Sequence, residues 1–237
     1  MQIIRESSAS LNISMTAEPF QEKYHTTCID IDSRNYIPLR NVIYDISGGA
    51  TPTAKGDAYL EPDDEGAIPF LRIQNIGENK LIKENLNYIN HDTHYIALKR
   101  SILKPNDVLV TITGRVGTAC VVMDDFKGNI NQHIVRFSVL PNFNPEFIAI
   151  FLNTHLGKLL TNRFVTGGTR IALDYDTLLN VPIPNLDIKH QNEIVKLHHS
   201  TTNKISGIYD KLNELVIHLR DSILKYITGE KFCNVVE

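Results

Sequence analysis

Two short polar runs in the middle of this chain carry side chains of the types that read DNA bases. Arg72, Gln74 and Asn75 lie at the end of one predicted strand, and Gln132 and His133 lie at the entrance to another. Glutamine and asparagine pair with the edge of adenine, and arginine pairs with guanine. The alternative is structural: the amides would satisfy loop backbone groups, and His133 would be a hydrogen-bonded structural histidine.

Two glycine-containing turns present arginines. Residues 167–170 (GGTR) combine a flexible backbone with the Thr169 hydroxyl and the Arg170 guanidinium, and a guanidinium can donate two parallel hydrogen bonds to a phosphate or to guanine. Residues 114–117 place Arg115 at a predicted hairpin tip, and no Gly-Lys-Ser/Thr follows to make this turn a P-loop. The alternatives are a helix-terminating turn and an exposed hairpin, each with a solvated arginine.

Three further residues are predicted to contact DNA. Thr51 and Lys55 follow the double glycine at 48–49, and Arg163 lies near the end of a predicted helix. Lysine, arginine and threonine side chains commonly bind phosphate oxygens. A solvated lysine is the alternative for Lys55.

No catalytic motif is present in the sequence. Adenine methyltransferases carry an Asn/Asp-Pro-Pro-Tyr/Phe element, whereas this chain has no Pro-Pro pair, and residues 144–147 (NPEF) match that element only superficially. It also lacks a glycine-rich cofactor loop after a strand, a His-Glu-x-x-His zinc motif and a nucleophile elbow. His91 and His94 lack further metal ligands nearby, so a polar loop is the preferred interpretation. We expect a chain without catalysis, metal or cofactor of its own.

Charge is unevenly distributed along the chain. The net charge is −3, but residues 66–170 carry 12 Lys and Arg against 7 Asp and Glu, while residues 1–65 carry 5 against 11 and residues 171–237 carry 7 against 9. Because phosphate contact depends on local charge, the net charge does not exclude a nucleic acid ligand. Three distant cysteines argue against disulfides and zinc knuckles and favour the cytosol. The sequence shows neither a membrane span nor a secretory signal.

The elements that must position these residues form a strand-rich body. Strands are predicted at 68–76, 86–89, 95–98, 107–113, 118–123 and 133–140, a strand or short helix at 40–46, and helices at 145–164, capped by Asn144, and at 174–179. Turns are predicted at 47–52 and at 128–129. The fold class is therefore α+β.

The tail, residues 191–226, has a different pattern. Apolar residues recur at alternating steps of three and four, which is typical of a helix that packs along another helix. A helix of roughly 36 residues would be about 54 Å long, too long for one small domain to cover. The predicted seam consists of Ile194, His198, Thr201, Ile205, Ile208, Leu212, Leu215 and Leu219.

Seven motifs in order, followed by Gln191 at the start of the long helix, resemble the specificity subunits of type I restriction–modification systems. They are Ile46–Pro52, Ile68–Ile76, Leu103–Val110, Gly114–Gly117, Asn131–His133, Gly167–Arg170 and Val181–Pro184. The likeness covers roughly residues 36–226. It implies a target recognition domain at 36–186 and a spacer helix at 187–237 for dimerisation and partner docking. Residues 1–35 are not explained by the family pattern and are predicted to be an extension of uncertain order.

The resemblance implies a DNA recognition subunit that works with other chains. Such subunits recruit an adenine methyltransferase subunit that uses S-adenosylmethionine, and often a restriction subunit that uses ATP and Mg²⁺. They usually hold two recognition domains and two spacer helices, whereas this chain has one of each, so we expect a homodimer that reads a symmetric target in double-stranded DNA. Two alternatives stay open: the recognition fragment of a single-chain restriction–methylation enzyme, and a coiled-coil scaffold without a DNA role.

Overall fold

A computed structural model describes residues 35–52, 58–162 and 172–228. They form two compact units, one up to Asn192 and one from Glu193 onward. The first unit is rich in short strands with a few helices, and the second is helical. The predicted α+β class, with a long C-terminal helix, is confirmed.

One antiparallel sheet contains the most apolar strands of the first unit. Its order is β2–β11–β8–β9, with β2 at Ile43–Gly48, β8 at Val108–Thr111, β9 at Ala119–Val121 and β11 at Ile134–Val139. Every residue of β8 is buried, which suits a β-branched run covered on both faces. The strands predicted at 107–113, 118–123 and 133–140 are confirmed, each one to three residues shorter at its ends.

A second sheet has the order β10–β4–β7–β3 and contains one parallel pair. Its strands are β3 at Tyr59–Leu60, β4 at Ile68–Leu71, β7 at Asn87–Ile89 and β10 at Asn129–Ile130. Strands β4 and β10 run in the same direction, with Phe70 opposite Asn129 and Leu71 opposite Ile130. The predicted turn at 128–129 was therefore wrong at Asn129, which begins a strand.

One strand prediction was too long, and another was wrong. The strand predicted at 68–76 ends at Leu71 and continues as a 3₁₀ turn at Ile73–Asn75, because the Asn75 side chain accepts a hydrogen bond from the Arg72 backbone N–H at 3.0 Å. The strand predicted at 95–98 is a π-helical turn, Thr93–Ala97. It begins where the Asn90 side chain accepts from the Thr93 N–H.

Two small strand pairs complete the body. β5 at Ile76–Gly77 pairs with β6 at Lys80–Leu81, and β1 at Tyr36–Pro38 pairs with β12 at Pro182–Pro184. Just outside the second pair, Asn35 and Asn185 exchange hydrogen bonds of 3.0 to 3.2 Å. The first and last strands of the body therefore lie side by side.

The core lies between the two sheets. A buried cluster combines residues of both: Leu71, Ile76, Leu103, Leu109, Cys120, Val122, Phe126, Ile130 and Ile134. Burial raises the pKa of the Cys120 thiol to about 12, so this cysteine behaves as a small apolar core residue.

Helices cover the outer face of the β8–β9 hairpin. α1 (Pro145–Asn153) packs on β8 and β9 and is followed by α2 (His155–Asn162). The predicted Asn144 cap is confirmed, since its side chain accepts from the backbone N–H groups of Glu146 and Phe147. The single helix predicted at 145–164 was wrong, because Thr154 is extended and its hydroxyl caps the next helix through the Gly157 N–H. The predicted helix at 174–179 is α3 (Tyr175–Leu179), capped by Asp174.

The long helix, α4, spans Ile188–Thr228, three residues earlier than predicted. Its 41 residues make it about 61 Å long at 1.5 Å per residue. Asp187 precedes it and accepts from the His190 N–H at 3.0 Å. Side chains from 199 to 221 are all exposed. None of the helices in the described ranges is long and apolar enough to cross a membrane.

Candidate nucleic-acid interface

The two predicted base-reading runs meet at one edge of the second sheet. β4 leads into Arg72 and Gln74, and β10 leads into Gln132 and His133. Because β4 and β10 are parallel, their carboxyl ends lie at the same edge. The Asn131 N–H donates to the Leu71 carbonyl at 3.0 Å, so the pairing extends to where the runs begin. Residues about sixty positions apart in the sequence thus become neighbours.

The double glycine brings a third segment to this edge. The Gly49 N–H donates to the Ile134 carbonyl at 3.1 Å. A Cβ on Gly49 would overlap the backbone carbonyls of Ile130 and Asn131, and one on Gly48 would overlap the Tyr175 hydroxyl. At Gly49, where the overlapping atoms are backbone, only glycine permits this close approach. It delivers Thr51 to the side chain of Gln132.

A chain of hydrogen bonds links four side chains across the edge. The Thr51 hydroxyl is hydrogen-bonded to Gln132 Oε1. Gln132 Nε2 lies 3.0 Å from His133 Nε2, and His133 Nδ1 lies 2.9 Å from the Thr113 hydroxyl. Thr51 and Gln132 are exposed, while Thr113 and His133 are half-buried. The edge therefore presents an ordered row of donors and acceptors, which we call the polar row: Thr51, Gln132, His133 and Thr113.

The predicted hairpin tip lies beside the polar row. Arg115 is exposed, and its Nη2 donates to the backbone carbonyls of Ile76 at 2.9 Å and Ile73 at 3.3 Å. The 3₁₀ turn after β4 is thereby attached to the hairpin. Two Arg115 nitrogens, Nε and Nη1, make no hydrogen bond within the described parts of the chain.

The same hairpin contacts described residues close to both ends of segment 163–171. Gly117, with a φ of 75°, packs so closely on Thr161 that a Cβ would meet the Thr161 hydroxyl at 2.5 Å. Thr113 forms a β-bridge with Ala172. Three predicted contact residues, Arg163, Thr169 and Arg170, belong to that segment and lie outside the described residues. Lys55 also lies outside the described residues, in segment 53–57.

Two residues predicted to contact DNA, Asn75 and Arg72, use some or all of their side-chain hydrogen-bonding groups within the protein. Asn75 is buried, its Oδ1 accepts from the Arg72 N–H, and its Nδ2 donates to the carbonyls of Ile82 and Glu84. Its amide is thus used in shaping the turn, and we remove Asn75 from the DNA-contacting set. Arg72 is half-buried and donates weakly to the Asn85 carbonyl at 3.4 Å, whereas Gln74 is exposed.

A partly buried ionic network in the first sheet was not predicted from the sequence. Arg136 on β11 pairs with Asp45 on β2 at 3.0 Å and with Asp107 at 3.3 Å. Asp107 also accepts from the Ser138 hydroxyl at 2.6 Å. The hydrogen bond from Lys104, reinforced by Arg136, holds the pKa of Asp45 below its usual value. Alternating polar residues in β2 and β11 are the signal that could have revealed it.

The histidine loop is structural. His94 is buried, and its Nδ1 is hydrogen-bonded to Asn129 Oδ1, while Asn129 Nδ2 donates to the Leu98 carbonyl at 2.9 Å. His91 is exposed and stacks on Tyr95 at 4.4 Å between ring centroids. Within the described ranges, no three His, Cys, Asp or Glu side chains are grouped to hold a metal ion.

The predicted seam lies on one face of α4. Its central residues, Ile205, Ile208, Leu212, Leu215 and Leu219, are all exposed. His198 is half-buried, whereas Ile194 and Thr201 are exposed. A second row of exposed apolar residues at seven-residue intervals was not predicted, and it widens the stripe beyond a two-position seam: Tyr209, Val216 and Ile223.

The chain is similar to proteins of one functional class. Residues 42–216 match the family model described as the type I restriction modification DNA specificity domain. The type I restriction enzyme EcoBI specificity subunit of Escherichia coli is 26% identical over 196 residues, which are 80% of this chain and 41% of that protein. The chain thus spans about two fifths of the length of this relative.

Solved structures share the fold at low identity. A chain from a study of complex assembly and conformational transition of the type I R-M system has a TM-score of 0.60 at 17% identity, covering 79% of this chain and 43% of that one. The HsdS subunit from Thermoanaerobacter tengcongensis has a TM-score of 0.52 at 15% identity, covering 73% of this chain and 38% of that subunit. The type IIG restriction endonuclease BpuSI has a TM-score of 0.53 at 11% identity, covering 78% and 28%.

Proposed function

Because this chain belongs to the family of type I restriction modification DNA specificity domains, we propose that it selects the DNA target of an adenine methyltransferase complex. The observation that carries the proposal is the shared edge of β4 and β10, where Arg72, Gln74, Gln132 and His133 come together with Thr51. These side chains arise from three separate segments, and each is of a type that bonds to base edges or phosphates.

Family membership confirms two sequence-based predictions. The first is the resemblance to a type I specificity subunit with one recognition domain and one long helix. The second is the absence of a catalytic role, since the matched family is a DNA specificity domain and the EcoBI relative is a specificity subunit, which is not catalytic.

Contacts with DNA divide into two proposed groups. Base reading comes from a subset of five residues: Arg72, Gln74, Gln132, His133 and Arg170. Phosphate contacts come from hydroxyl-bearing and cationic side chains: Thr51, Lys55, Arg115, Arg163 and Thr169. The excess of basic over acidic residues in segment 66–170 supports this division, because phosphate attraction depends on local charge.

Two copies of the chain are proposed to assemble through α4. The exposed apolar seam supports this, because a helix with such a stripe is stabilised when another helix covers it. Two copies related by a twofold axis would present two identical recognition domains and read a symmetric DNA sequence. Two polar seam residues, His198 and Thr201, weaken the pair and help to fix its register, as does Ser222, the next position after Leu219 in the same spacing.

The proposed domain boundaries are 36–186 for recognition and 187–237 for the spacer helix, with residues 1–35 as an extension. The compact units divide slightly later, between Asn192 and Glu193. The proposed partners are a methyltransferase subunit that binds S-adenosylmethionine and, in a restriction complex, a subunit that uses ATP and Mg²⁺. Such a complex works in the cytoplasm, where its DNA is found.

A second candidate function is recognition within a single-chain restriction–methylation enzyme. The fold likeness to the type IIG restriction endonuclease BpuSI favours keeping it. A methyltransferase reading frame continuous with this one would support that alternative, whereas a separate methyltransferase gene beside it would support the subunit. The scaffold alternative without a DNA role is disfavoured by family membership.

Genome-wide mapping of methylated adenine tests the proposed function. Cells that express the chain together with the neighbouring methyltransferase should methylate one symmetric sequence motif. Deleting this chain while keeping the methyltransferase should abolish methylation at that motif. Methylation that persists without the chain would contradict the proposal.

A further inference from the structure

We infer that Gln132 is an adenine-reading residue whose side chain is held in place by Thr51 and His133. The inference rests on the proposed function and assigns a specific role to one residue of the proposed DNA surface. It depends on the hydrogen bonds that anchor the Gln132 amide in the polar row.

The hydrogen bonds of the row hold the amide at both of its polar atoms. Gln132 Nε2 lies 3.0 Å from His133 Nε2, and His133 Nδ1 lies 2.9 Å from the Thr113 hydroxyl. Gln132 Oε1 is hydrogen-bonded to the Thr51 hydroxyl. Because a hydroxyl and a neutral imidazole can each donate or accept, these bonds form with the amide facing either way, and both of its polar atoms are held within the protein.

The fixed amide leaves one donor and one acceptor for a ligand. Within the described parts of the chain, Oε1 uses one of its two lone pairs and Nε2 uses one of its two hydrogens. Gln132 is exposed, so both remaining positions are accessible. A rigid pair of this kind loses less conformational entropy on binding than a free glutamine.

Adenine is the base whose edge matches this pair. Its N6 amino group donates and its N7 accepts in the major groove, so Oε1 receives the first contact and Nε2 gives the second. Guanine presents two acceptors, N7 and O6, and would place O6 against the amide oxygen. Cytosine and thymine each offer a single polar group there, so they satisfy only half of the amide.

Selection from a randomised duplex DNA library, followed by sequencing, tests this assignment with the full-length chain. The wild-type chain should enrich a motif that contains an A·T pair read by Gln132. Gln132→Ala should lower the preference for adenine at that pair by roughly 5- to 150-fold, the range of one paired base contact, and leave the other positions unchanged. Gln132→Glu should shift the preference at the same pair toward cytosine, because a carboxylate accepts from the cytosine N4 group.

Variants of the two neighbours test the positioning role. Thr51→Val and His133→Asn each remove one hydrogen bond to Gln132, and the asparagine keeps a donor toward Thr113. Each should lower the preference at the same base pair by about 2- to 12-fold, the range of one hydrogen bond, and Thr51→Ser should restore it. Asp63→Asn is the matched control, since Asp63 lies in the exposed loop before β4, away from its carboxyl end.

The outcomes separate the two proposals. A wild-type chain that enriches no motif would contradict the proposed function and, with it, this inference. A wild-type motif that Gln132→Ala leaves unchanged at every position would overturn the inference alone. A uniform loss of preference at all positions in the Thr51 and His133 variants would also overturn the positioning role, because it would indicate a general structural effect.

Discussion

Replacement of Gln191 by leucine tests how the first turn of α4 is attached to the body. Gln191 is buried, and its side chain makes three hydrogen bonds: Nε2 donates to the Leu186 carbonyl at 2.8 Å and to the Asn142 carbonyl at 3.2 Å, and Oε1 accepts from the Asn144 N–H at 2.8 Å. Leucine has a similar size and similar helix propensity, so the change removes the hydrogen bonds and little else.

The magnitude follows from these three contacts. One hydrogen bond contributes about 1 kcal/mol net, and backbone partners that stay buried without a replacement cost at least as much. We therefore expect Gln191→Leu to lower the free energy of unfolding by about 3 kcal/mol. That is a large share of the roughly 5 to 15 kcal/mol that stabilises an ordinary domain.

Urea unfolding followed by tyrosine fluorescence measures this change, since the chain has 9 Tyr and 0 Trp. Asn192→Ala is the matched control: Asn192 is the next residue and is exposed, and its side chain accepts one hydrogen bond, from Asn144 Nδ2 at 2.7 Å. The control should lose no more than about 1 kcal/mol. Equal unfolding midpoints for Gln191→Leu and the wild type, at equal slopes, would refute the reasoning.

Three further predictions concern the helix and the ionic network. Leu215→Asp should convert the proposed dimer to monomer in sedimentation equilibrium, whereas Ile217→Asp, at a similarly exposed position off the seam, should not; equal effects of the two would contradict the seam. Gly207→Ala should stabilise α4 by about 1 kcal/mol in thermal melts followed by circular dichroism, because an added Cβ meets nothing within 4 Å; a lower melting temperature would argue against this. Asp45→Asn should destabilise the chain at neutral pH. The hydrogen bond from Lys104 lowers the pKa of Asp45 in the folded chain. The stability that the Asp45 carboxylate contributes is therefore complete at pH values above its ordinary pKa of 3.8, and it is lost as the pH falls through the folded pKa. The stability difference between wild type and Asp45→Asn should therefore shrink in acid, and a difference that grows in acid would reverse the sign.

Local signals in the sequence predicted much of the fold. The β-branched run at 107–113 became the fully buried strand β8 because its composition and its burial agree. Asn144 caps α1 as its position before Pro145 indicates. The period of three and four residues placed the long helix within three residues of its start.

Tertiary pairing could not be read from the same signals. Nothing local to Phe70 or Asn129 indicates that their strands pair in parallel across 59 residues, and this pairing creates the shared edge. The pair between Arg136 and Asp45 spans 91 residues, and each residue alone resembles an ordinary exposed charge. Asn75 illustrates the same limit at the site: its side-chain type suits a base contact, but burial and three hydrogen bonds assign it to the turn.

The glycines of the first motif, Gly48 and Gly49, are required for a reason that the sequence alone did not indicate. A turn tolerant of unusual backbone angles was predicted, yet Gly48 lies in β2, and neither Gly48 nor Gly49 has a positive φ. The requirement is space: backbone carbonyls on one side and the Tyr175 hydroxyl on the other leave no room for a Cβ. That requirement depends on the assembled fold.

Binding of the purified full-length chain to two duplexes, at several salt concentrations, tests the central claim most directly. One duplex carries the motif found by methylation mapping, and the other carries the same bases in scrambled order. Sequence reading predicts tighter binding to the first duplex at every salt concentration, with affinities for both that fall steadily as salt rises, because phosphate contacts release counterions. Equal affinity for the two duplexes, or affinity indifferent to salt, would contradict the account.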